Sequence, residues 1–152
     1  MLISQRLMDL GIVLPPVSVP VASYIPAKKV GQLIFTSGQL PLINGVLQGE
    51  GQFNFPDEVE EGQKLAEICF LNALAAASEL VGIDSLKSVI KMTIFVSSSP
   101  SFHSHPMVGN GASDMAKKIF GDEGAHARSA VGVSALPRNA KVEVEVIFEV
   151  KE

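Results

Sequence analysis

Cysteine is almost absent from this chain. Cys69 is the only one in 152 residues, so no intrachain disulfide can form, and a reducing, cytoplasmic setting is expected. Charge is sparse too, at 18% of residues against 47% hydrophobic, and the net charge of −4 gives no global basic field to attract a phosphate backbone. Nucleic acid is therefore not an expected partner. Long apolar runs are also missing: charge interrupts every apolar window well before the roughly 18 residues that a membrane helix needs, and no membrane span is expected. The opening MLISQRLMDLGIVLPP has neither the basic start, the long apolar stretch nor the small-residue cleavage site of a secretory signal.

What is present is a large apolar content for a chain of this size. One domain over residues 1–152 is the simplest organisation, expected to bury roughly 70% of the surface its unfolded chain would expose. The apolar surplus suggests that part of it is covered by another copy of the chain. Residues 1–18 read as an N-terminal extension. In it LISQRLMDL forms a short helix stopped by Gly11, and a proline-punctuated extended run follows. A first strand is expected near Ser23 to Ala27 and a second from Leu33 to Ser37, closed by Gly38; NGVLQGEGQF reads as a hairpin or loop. Pro56 and Asp57 open a long helix that Gly82 closes, with Leu65, Ile68, Cys69, Leu71, Ala75 and Leu80 as its apolar face. LKSVIKMTIFVSS is a strand with Val89, Met92, Ile94 and Val96 inward, and VGNGASDMAKKIFG a second helix ending at Gly121. The order β-β-α-β-α-β-β argues an α+β fold, a single sheet with helices on one face.

The last stretch, HARSAVGVSALPRNAKVEVEVIFEV, reads as a hairpin turning near Pro137. Side chains alternate along a strand. Val142, Val144, Val146, Phe148 and Val150 therefore share the core face, and Glu143, Glu145 and Glu149 share the other. Taking Val131 and Val133 as core markers puts Arg128, Ala130, Gly132 and Ser134 on the glutamate face. An arginine beside small residues suits a carboxylate pocket, because a guanidinium grips both oxygens at once. Ordinary solvent-facing cross-strand charges give the same pattern. Arg128 and Glu143 also stand far apart along such a hairpin, so one small ligand reaches both only if a neighbouring chain closes the gap. Periodicity leaves the two readings open.

RSAVGVSALPRNAKVEVEVIF, with FTSGQLP and a tyrosine upstream, resembles the RidA/YjgF family of reactive-intermediate (imine) deaminases, whose older label is the L-PSP endoribonuclease family. The resemblance runs from about Val19 to Val150, and NGASD and HARSAVG look like a particular branch. It implies a fold like bacterial chorismate mutase, a sheet backed by two helices, and homotrimers with ligand sites in the clefts between subunits. It implies that Arg128 holds the substrate carboxylate and Glu143 orders the hydrolytic water. Tyr24 and Ser37 match two pocket residues, and Asn110 matches the pocket asparagine with a one-residue shift. Ala130 stands where many active deaminases carry cysteine; its backbone N–H remains available to a carboxylate. The implied reaction is hydrolysis of a 2-enamino or 2-imino acid to a 2-oxo acid and ammonia, with no metal or organic cofactor. A non-catalytic trimeric binder or sensor of small 2-oxo acids is the rival reading, and RNA cleavage, carried only by the older label, ranks below both.

Other residues have plainer readings. His103 and His105 in FHSHP suggest a metal clip, but the segment fits loop-to-helix punctuation better, and no metal site is expected. His126 borders the arginine strand and is left out of the catalytic set. Cys69 sits on the apolar helix face as a buried structural thiol, and Lys28-Lys29 as a solvated pair. The glycines of NGVLQGEG lack the spacing of a phosphate-binding loop and serve turns.

Overall fold

A computed structural model describes residues 1–20 and 22–152. The elements are α1 (Ile3–Asp9), β1 (Ala27–Val30), β2 (Leu33–Thr36), the small hairpin β3 (Leu42–Ile43) and β4 (Val46–Leu47), α2 (Val59–Val81), β5 (Leu86–Ser97), α3 (His105–Phe120), β6 (Ala127–Val133) and β7 (Val142–Val150). Five strands form one mixed sheet in the order β1-β2-β7-β5-β6, with α2 and α3 on one face. The fold is α+β, as the alternation of patterns requires. The first strand begins at Ala27 rather than near Ser23, and the prolines Pro20 and Pro26 account for the delay, since neither has an N–H to give to a ladder. Among the described residues no helix is long and apolar enough to cross a membrane.

Helix α2 starts and stops where its chemistry dictates. The Glu58 carboxylate accepts the backbone N–H groups of Asn54 and Phe55, each at 2.7 Å, which holds its pKa below the usual carboxylate value. At the other end Gly82 takes a positive φ of 84°, and its N–H closes on the Ser78 carbonyl. The helix lays Leu65, Ala66, Cys69, Phe70, Ala73, Leu74 and Ala77 on the sheet. That stripe is rotated from the expected one: Ile68 and Leu71 are half-buried and Leu80 is exposed. The alanines let the helix come close, while Phe70 fills the space over Phe148. On the sheet side Ile34, Val89, Met92, Ile94, Val96 and the even residues of β7 are all buried, each worth about 1.5–3 kcal/mol relative to exposure.

The expected final hairpin does not form. β7 is inserted between β2 and β5, antiparallel to both, and β6 lies beyond β5, paired to it in parallel. The link from Ser134 to Lys141 is long enough to step across the end of β5, and Arg138 and Asn139 both take positive φ within it. Sequence neighbours in this stretch are therefore not sheet neighbours.

That crossing also reverses a face. Arg128 is in register with Met92, Ala130 with Ile94 and Gly132 with Val96, and those partners are core residues. Arg128, Ala130 and Gly132 thus face the helices, whereas Val131 is 42% exposed on the open face. Gly132 has no room for a side chain: a Cβ there would lie 2.5 Å from Nε2 of His105, the first residue of α3, and 2.8 Å from Ser98 Oγ. The open face of the sheet carries Phe35, Phe95, Val131 and Ile147 beside Glu143 and Glu145.

Candidate active site

One chain presents the expected site residues as two separate clusters. Arg128 anchors the first, at the helix side of the sheet edge. Its Nη1 donates to Asn110 Oδ1 and to Ser113 Oγ, and its Nη2 to the Pro106 carbonyl, all at 3.0 Å. Asn110 and Ser113 are i, i+3 neighbours on α3 and so project together. All three acceptors are neutral, and no carboxylate lies within ion-pair distance of Arg128 among the described residues. Three of the guanidinium's five donors are used, leaving a whole positive charge and two hydrogens for an outside anion. The cavity beside it, about 620 Å³, is lined by Asn110, Ser113, Lys117, His126 and Arg128 among others.

Glycines make this arrangement possible. A Cβ on Gly109 would come within 3.1 Å of Arg128 Nη1, and one on Gly111 would run into the Gln63 carbonyl of α2. In VGNGAS, therefore, Gly109 clears space for the guanidinium, Asn110 and Ser113 bind it, and Gly111 lets the helices touch. Ala130, half-buried, packs against the core one residue pair along the strand. Ser98 N–H donates to the Val133 carbonyl, so the odd residues of β6 turn their peptide groups to β5. The even ones, Ala130 included, turn theirs to the open edge, where the N–H needs no side chain to meet an anion.

The second cluster lies on the opposite face. Glu143 lines a cavity of about 230 Å³ with Tyr24, Pro26, Gly38, Gln39, Leu40, Pro137 and Arg138. Its pKa is raised, first by burial and then by the neighbouring Glu145 carboxylate. A carboxylate moved toward neutral pH is a better match to a proton-accepting role. Its side chain lies directly over Gly38, where any Cβ would overlap the carboxylate oxygen Oε1. Tyr24 is half-exposed at the rim. Ser37 does not line the cavity; its hydroxyl donates to the Ile25 carbonyl at 2.6 Å and fastens the segment that carries Tyr24.

Register measures the gap between the clusters. Glu143 pairs with Phe95 and Arg128 with Met92, on strands either side of β5. Two strand spacings of about 4.8 Å and three residues of about 3.3 Å separate them, in addition to the thickness of the sheet. Within one chain they cannot hold the same small molecule. The histidines of FHSHP belong to neither cluster: His105 Nε2 pairs with Ser98 Oγ at 3.0 Å, and burial, then His103, lowers its pKa.

Comparison with known proteins places this geometry. Residues 17–150 match the family model described as Endoribonuclease L-PSP. The chain belongs to that family, the RidA/YjgF proteins. It is 40% identical to the protein TCP17 of Trypanosoma cruzi over 97% of this chain and 93% of that one. It is 27% identical to a 2-iminobutanoate/2-iminopropanoate deaminase of Dermatophagoides farinae, over 87% and 89% respectively. Among solved structures, the protein Atu1372 of Agrobacterium tumefaciens, of unknown function, superposes with a TM-score of 0.88 at 38% identity, covering 98% of this chain and 92% of that one.

For a RidA/YjgF chain, several residues escape a reading by sequence. Ser113 and the Pro106 carbonyl hold Arg128, and Gly38 seats Glu143. Arg138 reaches the Glu143 cavity from the crossing loop. The one available signal was the spacing of Asn110 and Ser113 on a single helix face.

Proposed function

We propose that the protein hydrolyses reactive 2-imino acids, with their 2-enamino tautomers, to 2-oxo acids and ammonia, at sites shared between copies in a homotrimer. The observation that carries this reading is Arg128, a cation held by three neutral acceptors with two donors to spare. The separation of Glu143 onto the other face supports the shared site, because a partner copy would have to bring its own Glu143 to the Arg128 edge. Arg128 and the Ala130 N–H take the carboxylate; Glu143 accepts a proton from water as its oxygen adds to C2. The carboxylic acid returns that proton to the nitrogen, giving a carbinolamine. The carboxylate then takes the hydroxyl proton and passes it to the amino nitrogen, so that the C2–N bond breaks and ammonia leaves as the C2 carbonyl forms. The imine carbon is electrophilic already, so orientation of substrate and water supplies much of the rate. The apolar residues on the open sheet face suit burial between copies.

The alternative is a binder or sensor of 2-oxo acids, favoured by Ala130 in place of cysteine. RNA cleavage gains nothing from a chain with net charge −4 and a single arginine at its anion site. The deciding experiment follows the decay of freshly generated 2-iminobutanoate. Hydrolysis faster than buffer that is lost in Arg128→Ala supports the enzyme. Binding of 2-oxobutanoate that needs Arg128, with no faster decay, supports the sensor.

A further inference from the structure

Arg128 is braced by a chain of hydrogen bonds that runs from the Gly124 carbonyl through His126 and Ser113. His126 Nδ1 lies 2.6 Å from the Gly124 carbonyl, which only accepts, so Nδ1 carries the hydrogen. His126 Nε2 lies 2.9 Å from Ser113 Oγ, and that same oxygen accepts from Arg128 Nη1 at 3.0 Å. In the neutral ring Nε2 is a bare acceptor, so the single Ser113 proton points to it. The hydroxyl's lone pairs are thereby turned to the guanidinium. Asn110 and the Pro106 carbonyl hold the same guanidinium from other sides, but neither sets the direction of the serine hydroxyl.

We infer that His126 is a positioning residue for the Arg128 anion clamp, acting through Ser113 as a neutral ring with its proton on Nδ1. This rests on the anion-binding role of Arg128 proposed above. The relay starts on the short turn Gly121–Gly124, where Gly124 is buried with no room for a side chain: a Cβ there would come 2.5 Å from the Ala116 carbonyl. The far end of α3 thus fixes the loop, the loop fixes the ring, and the ring fixes the hydroxyl that steadies the arginine. Without His126 the Ser113 proton is free to rotate toward Arg128, where it repels rather than receives the guanidinium hydrogen.

Two measurements on the full-length protein test this. Nitrogen-15 NMR of the histidine rings, with His126 assigned by its loss in His126→Gln, should show a neutral ring protonated on Nδ1; a ring protonated on Nε2 overturns the relay. Calorimetric titration with 2-oxobutanoate should show affinity about five- to tenfold weaker in Ser113→Ala and in His126→Phe. The double variant should be no weaker than either, since both cut one path. His126→Gln, whose amide oxygen still accepts, should recover part of the loss, which a purely structural role for the ring would not predict. Should His126→Phe unfold, Ser113→Ala and the NMR measurement carry the test. If Arg128→Ala leaves ligand affinity unchanged, the anion-clamp reading itself is wrong. If Arg128→Ala abolishes binding while Ser113→Ala keeps full affinity, the clamp stands and the relay is overturned.

Discussion

Replacing Gly38 with alanine isolates the seat of Glu143 from everything else in the protein. Gly38 does not take a positive φ, so alanine meets no backbone penalty there. Its Cβ would overlap Glu143 Oε1 and lie 2.8 Å from Cδ and 3.1 Å from Cγ. Comfortable carbon–carbon contact begins near 3.5 Å, so the carboxyl group must withdraw by about 1 Å. Misplacement of that size costs about 10²-fold in a positioned reaction. Stability should hardly move, because the obstructing atoms end a flexible side chain and alanine saves about 0.4–1 kcal/mol of unfolded-state entropy. A carboxylate pushed out of its seat is also better hydrated, so the acid limb of the pH profile should shift to lower pH. The assay is decay of 2-iminobutanoate at saturating and limiting substrate, with thermal melting alongside. Wild-type turnover by Gly38→Ala, combined with loss of activity in Glu143→Gln, would refute the claim that Glu143 works from its position over Gly38.

Other perturbations test neighbouring steps. Glu143→Gln should cut turnover about 10²–10⁴-fold, the usual worth of a general base. Because the folded-state pKa of Glu143 is raised, its charge costs stability above that pKa and the cost fades as pH falls through it. The glutamine variant should therefore show a urea midpoint at pH 7 no lower than wild type, with any advantage gone near pH 4. Arg128→Lys keeps the charge but not the planar fork that serves three acceptors and an anion, so affinity for 2-oxobutanoate should fall about tenfold or more by calorimetry. Gly111→Ala places a Cβ 2.6 Å from the Gln63 carbonyl carbon and 2.7 Å from its Cα, both backbone atoms that cannot step aside. Forcing α2 and α3 apart should cost about 1–3 kcal/mol, read as a lower denaturant midpoint at unchanged slope.

Much of this protein is written in local pattern. The acidic start and Gly82 stop of α2, the inward valines of β7 and the run from Val89 to Val96 follow from capping chemistry and period-two alternation, which need only near neighbours. Arg128, Asn110, Tyr24 and Glu143 were legible as candidates because the resemblance to the RidA/YjgF motif names them; residue type and alternation left Arg128 and Glu143 open. Tertiary structure alone decided their grouping. Alternation says that Arg128 and Ala130 share a face, but which face depends on the strand beside β6, and that strand is β5 rather than β7. The expected hairpin put Arg128 on the same face as Glu143, though far along it; the crossing over β5 put them on opposite sides of the sheet. Likewise, no local signal ties Gly38 to Glu143, and beyond its i, i+3 spacing from Asn110 nothing local ties Ser113 to Arg128, because each matters through a partner distant in sequence. Alternation and capping act over a few residues, whereas a site is built by contacts that chain distance does not limit, and only folding sets those.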